Sequence, residues 1–348
     1  MTIRVLVVDD SPTMRALIAE LLRHEPDLAV IGSACDAAEA RTLIRTLDPD
    51  VVTLDIEMPG MSGLDFLDRL MRLRPTPVVV VSSVTRDGAD TTVRALAMGA
   101  VDCYAKPDGR GSSLLDNDGG RLAALIRVAA QTRAGRVGPI GPLPFNGVAG
   151  AAGPAMQPPA RPGLIAIGAS TGGVEALHTL LGDFPADCPP TVVVQHINGG
   201  FASALAQRLD ARCAPTVTLA EPHLPLRRGH VYLAPGNDRH LRVRRGTALH
   251  ASVAPGEKVA GHRPSVDMLF QSVAEAMGDQ AVGILLTGMG EDGAQGLLAM
   301  ARAGAFTIAQ DESSSIVFGM PRAAIRLGAA RVVAPIGRIA GHAFARAA

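Results

Sequence analysis

The chain has 348 residues, enough for two domains of ordinary size, each with its own hydrophobic core. Hydrophobic residues make up 47% of the sequence and charged residues 19%, which is typical of globular rather than disordered proteins. Lys and Arg together number 33, as do Asp and Glu, and this balance argues against a nucleic-acid-binding protein, which needs a basic excess. The four cysteines, Cys35, Cys103, Cys188 and Cys213, are too dispersed for a metal cluster or a disulfide framework.

Membrane and export signals are absent from the sequence. No apolar run approaches the roughly 20 residues of a membrane span, and no signal peptide precedes the first apolar strand. We therefore expect a soluble, cytoplasmic protein without membrane insertion and without a nucleic-acid partner.

The first third of the chain alternates short apolar strands with helices. Strands are predicted at 3–8, 29–35, 51–55, 77–82 and 101–105, each followed by a helical segment. Near-continuous runs of Val, Ile and Leu predict a parallel sheet covered by helices on both faces, which is an α/β fold. Ligands of such sheets bind beyond the carboxyl ends of the strands.

Acidic and hydroxyl side chains and one lysine follow these strands. They are Asp9, Asp10, Asp55, Ser82 and Lys106. Three carboxylates crowd together in ionised form only around a cation, and oxygen ligands of this kind suit Mg²⁺. A carboxylate also accepts a phosphoryl group, with the metal, the lysine and the hydroxyl stabilising the transferred group. We predict a phospho-accepting Mg²⁺ site, the alternative being two helix N-terminal acids and a surface lysine.

Residues 1–133 resemble a response-regulator receiver domain with the flavodoxin-like strand order. The resemblance is carried by Asp9-Asp10, by Leu-Asp-Ile-Glu-Met-Pro at 54–59, by Ser82 and by Lys106-Pro107. It implies that Asp55 is the phosphorylated residue, that Ser82 contacts the phosphoryl group and that Lys106 pairs with it.

The same resemblance implies a Mg²⁺ site for receiver phosphorylation and a histidine kinase as phosphodonor. The carboxylates of Asp9, Asp10 and Asp55 and the main-chain carbonyl of Glu57 would hold the ion. An aromatic residue usually stands three positions before the conserved lysine, and here that residue is Cys103.

Residues 134–161 are rich in Gly, Pro and Ala and show no sustained period. This composition predicts a semi-flexible linker between a first domain at 1–133 and a second domain at 162–348. A segment that docks a partner protein is the alternative.

The segment 164–177 predicts a buried strand that runs through a glycine turn into a helix. Gly168-Ala169-Ser170-Thr171-Gly172 fits G-x-S-x-G, an arrangement that raises a serine hydroxyl above the end of a sheet. The helix that follows directs its unpaired N–H groups and positive dipole end toward this turn. The motif is short, and a phosphate-binding glycine turn is the alternative.

Two further apolar strands are predicted at 191–196 and 281–287, and each leads to a chemically useful side chain. His196 closes the first, and Asp292 follows the second after the glycine-rich segment 288–290. A parallel sheet would place Ser170, His196 and Asp292 at one edge, where the imidazole deprotonates the serine and the carboxylate orients the imidazole. The N–H groups of 288–290 would face a developing oxyanion.

Other residues near predicted strands compete for the acid and base positions. They are His240, Asp267 and Asp311. The Ser–acid–His order of most α/β-hydrolases would need His342, so the Ser–His–Asp order favours a different hydrolase. A hairpin at 241–253, a helix at 265–277 and closing strands at 307–310 and 331–334 complete a doubly wound, mostly parallel α/β domain with a β-hairpin excursion.

Residues 162–340 resemble the catalytic domain of the chemotaxis protein-glutamate methylesterases, the CheB family. The shared motifs are GASTGG at 168–173, QH at 195–196, LAPG at 233–236, RPSVD at 263–267, LTGMGEDGA at 286–294 and GMP at 319–321. The resemblance implies a triad of Ser170, His196 and Asp292, an oxyanion contact from the Met289 main chain with Thr171 beside the nucleophile, and no cofactor for ester hydrolysis. The loop 197–202 departs from the usual family sequence.

Together the two resemblances imply a phosphorylation-activated methylesterase. It would hydrolyse glutamate methyl esters on methyl-accepting chemotaxis receptors, and deamidate selected receptor glutamines, with a kinase of the CheA type as phosphodonor. We expect the unphosphorylated receiver to cover the Ser170 edge. A DNA-binding regulator and a catalytically silent signalling module are the competing classes, although no basic helix-turn-helix follows the receiver.

Overall fold

The computed structural model describes residues 2–58, 62–83, 85–106, 120–132, 162–236 and 238–345. The predicted linker at 134–161 lies outside the described residues, as do Pro59 and Pro107 of the receiver motifs. The described residues form one α/β sheet on each side of this segment.

The first sheet has five strands, all parallel, in the order β2-β1-β3-β4-β5. The strands are β1 (Ile3–Val8), β2 (Leu28–Ala34), β3 (Val51–Asp55), β4 (Val78–Ser82) and β5 (Asp102–Ala105). The helices are α1 (Pro12–Arg23), α2 (Ala37–Leu47), α3 (Gly63–Leu73), α4 (Arg86–Ala97) and α5 (Arg121–Gln131). One buried cluster packs under α1 and α5 and another under α2, α3 and α4, so both faces are covered. This confirms the predicted flavodoxin-like fold.

Four helices of this domain, α1 to α4, begin where a polar side chain accepts a hydrogen bond from a first-turn N–H group. The capping residues are Ser11, Asp36, Ser62 and Thr85. Such caps stabilise a helix by about 1 kcal/mol each and fix the residue at which it begins. Each of these four helices therefore begins three to eight residues after its strand ends, which leaves room for polar side chains at the strand ends.

The second sheet has seven strands, all parallel, in the order β14-β13-β12-β6-β7-β9-β8. The strands are β6 (Leu164–Ala169), β7 (Thr191–Gln195), β8 (Thr216–Leu219), β9 (His230–Leu233), β12 (Ala281–Leu285), β13 (Phe306–Gln310) and β14 (Val332–Ala334). A separate antiparallel hairpin is formed by β10 (Arg239–Arg245) and β11 (Leu249–Pro255). Strands β7, β8 and β9 lie on one side of β6, and the later strands β12, β13 and β14 lie on its other side. A crevice at such a switch point is the usual ligand site of an open α/β sheet.

Helices cover this second sheet on both faces, as the sequence predicted. They are α6 (Gly173–Gly182), α7 (Gly199–Asp210), α8 (Val266–Met277), α9 (Ala294–Arg302), α10 (Met320–Arg326) and α11 (Ile336–Phe344). The sequence did not predict β8, α10 or α11, which are short or lie at the rim of the sheet. None of the described helices is long and apolar enough to cross a membrane.

The two domains pack against each other through α4, which contacts α6 and α7. One buried hydrophobic cluster contains side chains of both domains, among them Leu96 and Cys103 from the first and Leu177 and Phe201 from the second. Ile316, from the segment after β13, packs against the α1–α5 cluster of the first domain. The interface therefore lies over the carboxyl-end edge of the second sheet.

Leu269→Ala will destabilise the second domain far more than Leu327→Ala, because Leu269 is 0% exposed in the α8 core whereas Leu327 is 42% exposed. We expect the first substitution to lower the free energy of unfolding by about 2–5 kcal/mol and the second by less than about 1 kcal/mol. The measurement is urea unfolding in a Tyr104→Phe background, in which Tyr232 is the only tyrosine and there is no tryptophan. Equal losses from the two changes would contradict the assignment of α8 to the core.

Candidate active site

The serine turn lies between β6 and α6, at the switch point of the second sheet. The Ser170 N–H donates to the Thr287 carbonyl at 3.0 Å, and the Gly173 N–H donates to the Ser170 carbonyl at 2.7 Å. Gly172 has φ +77°, and a Cβ atom there would lie 2.5 Å from the Ile316 side chain. Only glycine meets both conditions without strain. The turn predicted from the sequence is therefore present, and its backbone is held on both sides of Ser170.

His196 follows β7, the strand next to β6, and its two ring nitrogens differ in their surroundings. Nε2 lies 2.8 Å from Asp292 Oδ2, whereas Nδ1 is buried and has no hydrogen-bond partner within the described residues. The main chain is fixed by a hydrogen bond of 2.9 Å from the His196 N–H to the Ala169 carbonyl. Among the hydrogen bonds of the described residues, none joins the Ser170 hydroxyl to this ring. Nδ1 is thus the nitrogen free to take up a proton.

Asp292 is 1% exposed and accepts four hydrogen bonds. Oδ1 accepts from the Ser265 hydroxyl at 2.8 Å and the Asp267 N–H at 3.0 Å, and Oδ2 accepts from the Val266 N–H and His196 Nε2, each at 2.8 Å. Burial opposes ionisation, but the hydrogen bond and charge of His196 and the two N–H groups hold the pKa of Asp292 below its usual value. The carboxylate therefore stays ionised at the N-terminus of α8, where a negative charge is favoured.

The competing residues have other partners. His240 Nε2 lies 2.8 Å from the Glu257 carbonyl, and its Nδ1 accepts from the Ser265 N–H at 3.2 Å. Asp267 accepts from the Gly296 N–H at 2.6 Å and so caps α9, and burial raises its pKa. Asp311 accepts from the hydroxyl groups of the serines at 313 and 314. These contacts are structural, and they leave Asp292 as the acid beside His196.

Near Ser170, the described residues supply no hydrogen-bond acceptor for two main-chain N–H groups. No hydrogen bond within the described residues uses the N–H of Thr171 or that of Met289, a residue that is 43% exposed. The Thr171 hydroxyl donates instead to Asp102 Oδ2, a carboxylate of the first domain. Burial raises the pKa of Asp102, and this hydrogen bond opposes the rise.

Two side chains that the sequence left without a role also belong to this edge. The Gln195 amide donates to the Ser170 carbonyl at 2.8 Å and to the His196 carbonyl at 3.2 Å, and so joins the two turns. The imidazole of His262 stacks on that of His196, with ring centroids 3.8 Å apart and an interplanar angle of 3°. In the sequence, Gln195 directly precedes His196, and His262 directly precedes Arg263 of the RPSVD motif. This proximity was the only sequence feature that could have indicated a role for them in the site.

Two spaces reach Ser170 in this arrangement. A cavity of about 10 Å³ lies between Asp102 and Ser170, with Leu96 and Ala100 of the first domain in its wall. A groove of about 800 Å³ runs from Ser170 past Met289, and Asp102 together with residues of α5 forms one side of it. The first domain therefore encloses the small cavity beside Ser170 and forms one wall of the larger groove.

The acidic pocket of the first domain lies at the ends of β1 and β3. Asp9, Asp10 and Asp55 have carboxylate oxygens within 4.8 Å of one another. Lys106 Nζ lies 2.7 Å from Asp55 Oδ2 and 3.0 Å from Asp9 Oδ2. The structure thus brings four of the predicted residues together.

These side chains fit a hard divalent cation. Asp9 Oδ2 is buried and has no hydrogen bond of good geometry, although Lys106 is close, and such an oxygen suits a metal ligand. Burial raises the pKa of Asp9, Lys106 opposes the rise and the nearby Asp55 adds to it. The Glu57 N–H donates to Asp55 Oδ1 at 3.1 Å, which places the Glu57 main chain beside the pocket. Ser82 lies at the end of β4, and its hydroxyl donates at 3.4 Å to the Gly88 carbonyl.

The fold and the two sites define a class of protein, a serine hydrolase domain joined to a receiver domain. The family model described as CheB methylesterase matches residues 165–343, and that described as response regulator receiver domain matches residues 5–113. The chain belongs to the CheB methylesterase family.

Curated relatives match almost the whole chain. A "Protein-glutamate methylesterase/protein-glutamine glutaminase 1" of Caulobacter vibrioides is 50% identical over 331 residues, which cover 94% of this chain and 93% of that protein. A relative from Rhizobium etli, whose name lacks only the final number, is 50% identical over 339 residues, covering 96% and 93%. The crystal structure of the Thermotoga maritima CheB methylesterase catalytic domain is 34% identical, covers 53% of this chain and 97% of that one, and aligns with a TM-score of 0.51. The chain is therefore an enzyme of the methylesterase class.

Ser265→Ala will lower esterase activity, because it removes a donor to Asp292 as well as the cap of α8. We expect kcat to fall by about tenfold, the equivalent of one hydrogen bond to a charged group. The matched control is Ser272→Ala in the same helix, whose buried hydroxyl bonds main-chain groups only. Both variants should lose about 1 kcal/mol of stability or more, and only the first should lose activity. An equal effect of both on kcat would contradict the role of Ser265.

Proposed function

We propose that this chain hydrolyses glutamate 5-O-methyl esters on chemoreceptors to glutamate and methanol, and deamidates specific receptor glutamines. The observation that carries the proposal is the His196–Asp292 pair, which stands beside Ser170 at the switch point of the sheet. The names of the relatives supply the substrate class, and the geometry supplies the groups that such a reaction needs.

Acylation begins at Ser170. Its hydroxyl oxygen attacks the acyl carbon of the ester while His196 Nδ1 takes the proton, and Asp292 stabilises the imidazolium through Nε2. The oxyanion of the tetrahedral intermediate accepts hydrogen bonds from the N–H groups of Thr171 and Met289. Collapse breaks the ester C–O bond, and His196 returns the proton to the leaving methoxy group as methanol departs.

Deacylation repeats these steps with water as nucleophile. His196 removes a proton from the water, the hydroxide attacks the acyl-serine, and Ser170 leaves with the proton from the imidazolium. The product is a glutamate side chain. A glutamine substrate follows the same path, except that ammonia leaves in place of methanol.

Phosphorylation of Asp55 controls access to this site. A histidine kinase of the chemotaxis type donates the phosphoryl group, and Lys106 pairs with it while Ser82 contacts it. Asp9, Asp10 and Asp55, with the Glu57 carbonyl, would hold Mg²⁺, which would neutralise charge on the transferred group. The fit of the acidic pocket to a hard cation supports this part of the proposal.

Strand β5 connects the two sites. Lys106, directly after the strand, contacts Asp55, and Asp102, at the start of the strand, contacts Thr171. At about 3.3 Å per residue the two contacts are roughly 13 Å apart along one strand. If a phosphoryl group on Asp55 displaces Lys106, β5 transmits the displacement to Asp102 and so to the serine turn at Thr171. Helix α4, which packs on α6 and α7, would move with the strand. Loss of these contacts would free the serine edge for a receptor.

Ser170→Ala will abolish methanol release from methyl-labelled receptor, because the acyl-enzyme cannot form.

A small acyl phosphate with Mg²⁺ should raise the rate of the parent chain, and the Asp55→Asn variant should show no such rise. The assay is the volatile methanol released per minute with and without phosphodonor. Methanol release by Ser170→Ala equal to that of the parent would refute the mechanism, and a normal phosphodonor response of Asp55→Asn would refute the control site.

Asp102→Ala will raise the activity of the unphosphorylated chain, because it removes a charge-assisted hydrogen bond that holds the domains together. We expect a rise of about tenfold, since such a bond contributes about 1.5–3 kcal/mol and 1.4 kcal/mol shifts an equilibrium tenfold. The control is Asp65→Ala, an exposed acid on α3, which should leave the rate unchanged. An unchanged basal rate for Asp102→Ala would show that this contact does not restrain the enzyme.

A further inference from the structure

The ring of His262 covers one face of the proposed catalytic base. The two imidazoles are parallel to within 3°, and their centroids are 3.8 Å apart. This is closer than most aromatic pairs, whose centroids lie about 4.5–7 Å apart. The contact is thus a close, nearly parallel stack of two small rings.

The loop between β11 and α8 is built so that this ring stays in place. The N–H of Val259 donates to the His262 carbonyl at 3.0 Å, and the His262 N–H donates back to the Val259 carbonyl at 2.9 Å. The Arg263 guanidinium donates to the Gly256 carbonyl at 2.9 Å and so closes the loop that contains His262. A side chain held from both sides of its backbone keeps its position without help from substrate.

Charge on His262 decides what its ring does to His196. Burial, and then the neighbouring His196, lower the pKa of His262 to about 4. Lys258 and Arg121 act in the same direction, and Asp292 opposes them. Near neutral pH the stacked ring is therefore neutral and presents a π face rather than a second cation.

A neutral π face matters because His196 becomes an imidazolium during each acyl transfer. Asp292 stabilises that cation in the plane of the ring, through Nε2. A neutral aromatic ring stabilises a cation that lies over its face. The stack also prevents rotation of the imidazole, so Nδ1 stays on the side away from Asp292.

We propose that His262 is a positioning residue for ester hydrolysis, one that holds the plane of His196 and stabilises the imidazolium formed when Ser170 gives up its proton. The inference rests on the proposed role of His196 as the base. It assigns His262 no contact with the reacting atoms.

The test compares His262→Phe with His262→Leu in the full chain, with acyl phosphate and Mg²⁺ present. Both side chains are apolar and neither titrates, but only Phe has an aromatic face. We expect Leu to lower kcat by about tenfold with little change in KM, and Phe to stay within about threefold of the parent. His262→Gln, which is polar and lacks the aromatic face, should behave as Leu does and is the second variant if Leu unfolds the loop.

The pH profile is the second measurement. The charged groups near the two rings are Asp292, Asp102, Lys258 and Arg121, all kept in every variant. With less stabilisation of the imidazolium, the acid limb of the kcat/KM profile should move to lower pH in the Leu and Gln variants and stay in place in the Phe variant. Equal losses for Phe and Leu, no loss in either, or a change confined to KM would overturn the proposal.

A third readout separates this proposal from the proposed substrate. A sulfonyl fluoride modifies an activated serine without any receptor, and its inactivation rate depends on the same proton transfer. If the His262→Leu variant is inactivated more slowly than the His262→Phe variant while the parent chain releases no methanol, the proposed substrate is refuted and the role of His262 is supported. Normal methanol release with no difference between Phe and Leu in either assay would refute His262 and leave the proposed function standing.

Discussion

The buried carboxylate of Asp292 is the constraint on which the esterase site depends. An ionised group that is 1% exposed costs several kcal/mol unless it is paired and hydrogen-bonded. Here the donors come from the first turn of α8, from its cap Ser265 and from His196. Because these groups lie on separate segments, β7, α8 and the loop after β12 cannot shift independently. The carboxylate thus joins the imidazole of His196 to the first turn of α8, which fixes the ring at the edge that carries the serine turn.

The first domain packs against the same edge of the second sheet, where Ser170 lies. Asp102 approaches the Thr171 hydroxyl, and α4 packs on the helices that flank β6 and β7. Asp102 is a carboxylate next to the proposed oxyanion site, which is where the carboxylate product of ester hydrolysis would form. Burial raises the pKa of Asp102 and the Thr171 hydroxyl opposes the rise, so the interface carries a desolvated carboxylate that this hydrogen bond compensates only in part. A contact of this kind suits a reversible cover.

Sequence patterns predicted the sheets because buried parallel strands are long apolar runs bounded by glycine or polar residues. β8 was missed because Thr216–Leu219 is a partly exposed edge strand whose two threonines break the apolar pattern. The rule that ligands bind beyond strand ends found Ser170, His196 and Asp292 together. It did not exclude Asp267, which stands beside Asp292 but whose carboxylate accepts from the Gly296 N–H of α9 rather than from His196. That difference depends on the packing of α8 against α9, which no local pattern encodes.

The sequence by itself determined the two-sheet plan, the acidic pocket with its lysine, and the polar residues at the edge of the second sheet, since these follow from the lengths of apolar runs and from the residue types at their ends. Only the tertiary structure decided which nitrogen of His196 meets the acid, that His262 covers its face, and that Asp102 reaches Thr171. Those contacts join segments between about 60 and 100 residues apart in the chain. Their geometry comes from strand order, helix packing and the meeting of two domains, because hydrogen bonds and ring stacking depend on distances that spacing along the chain does not set.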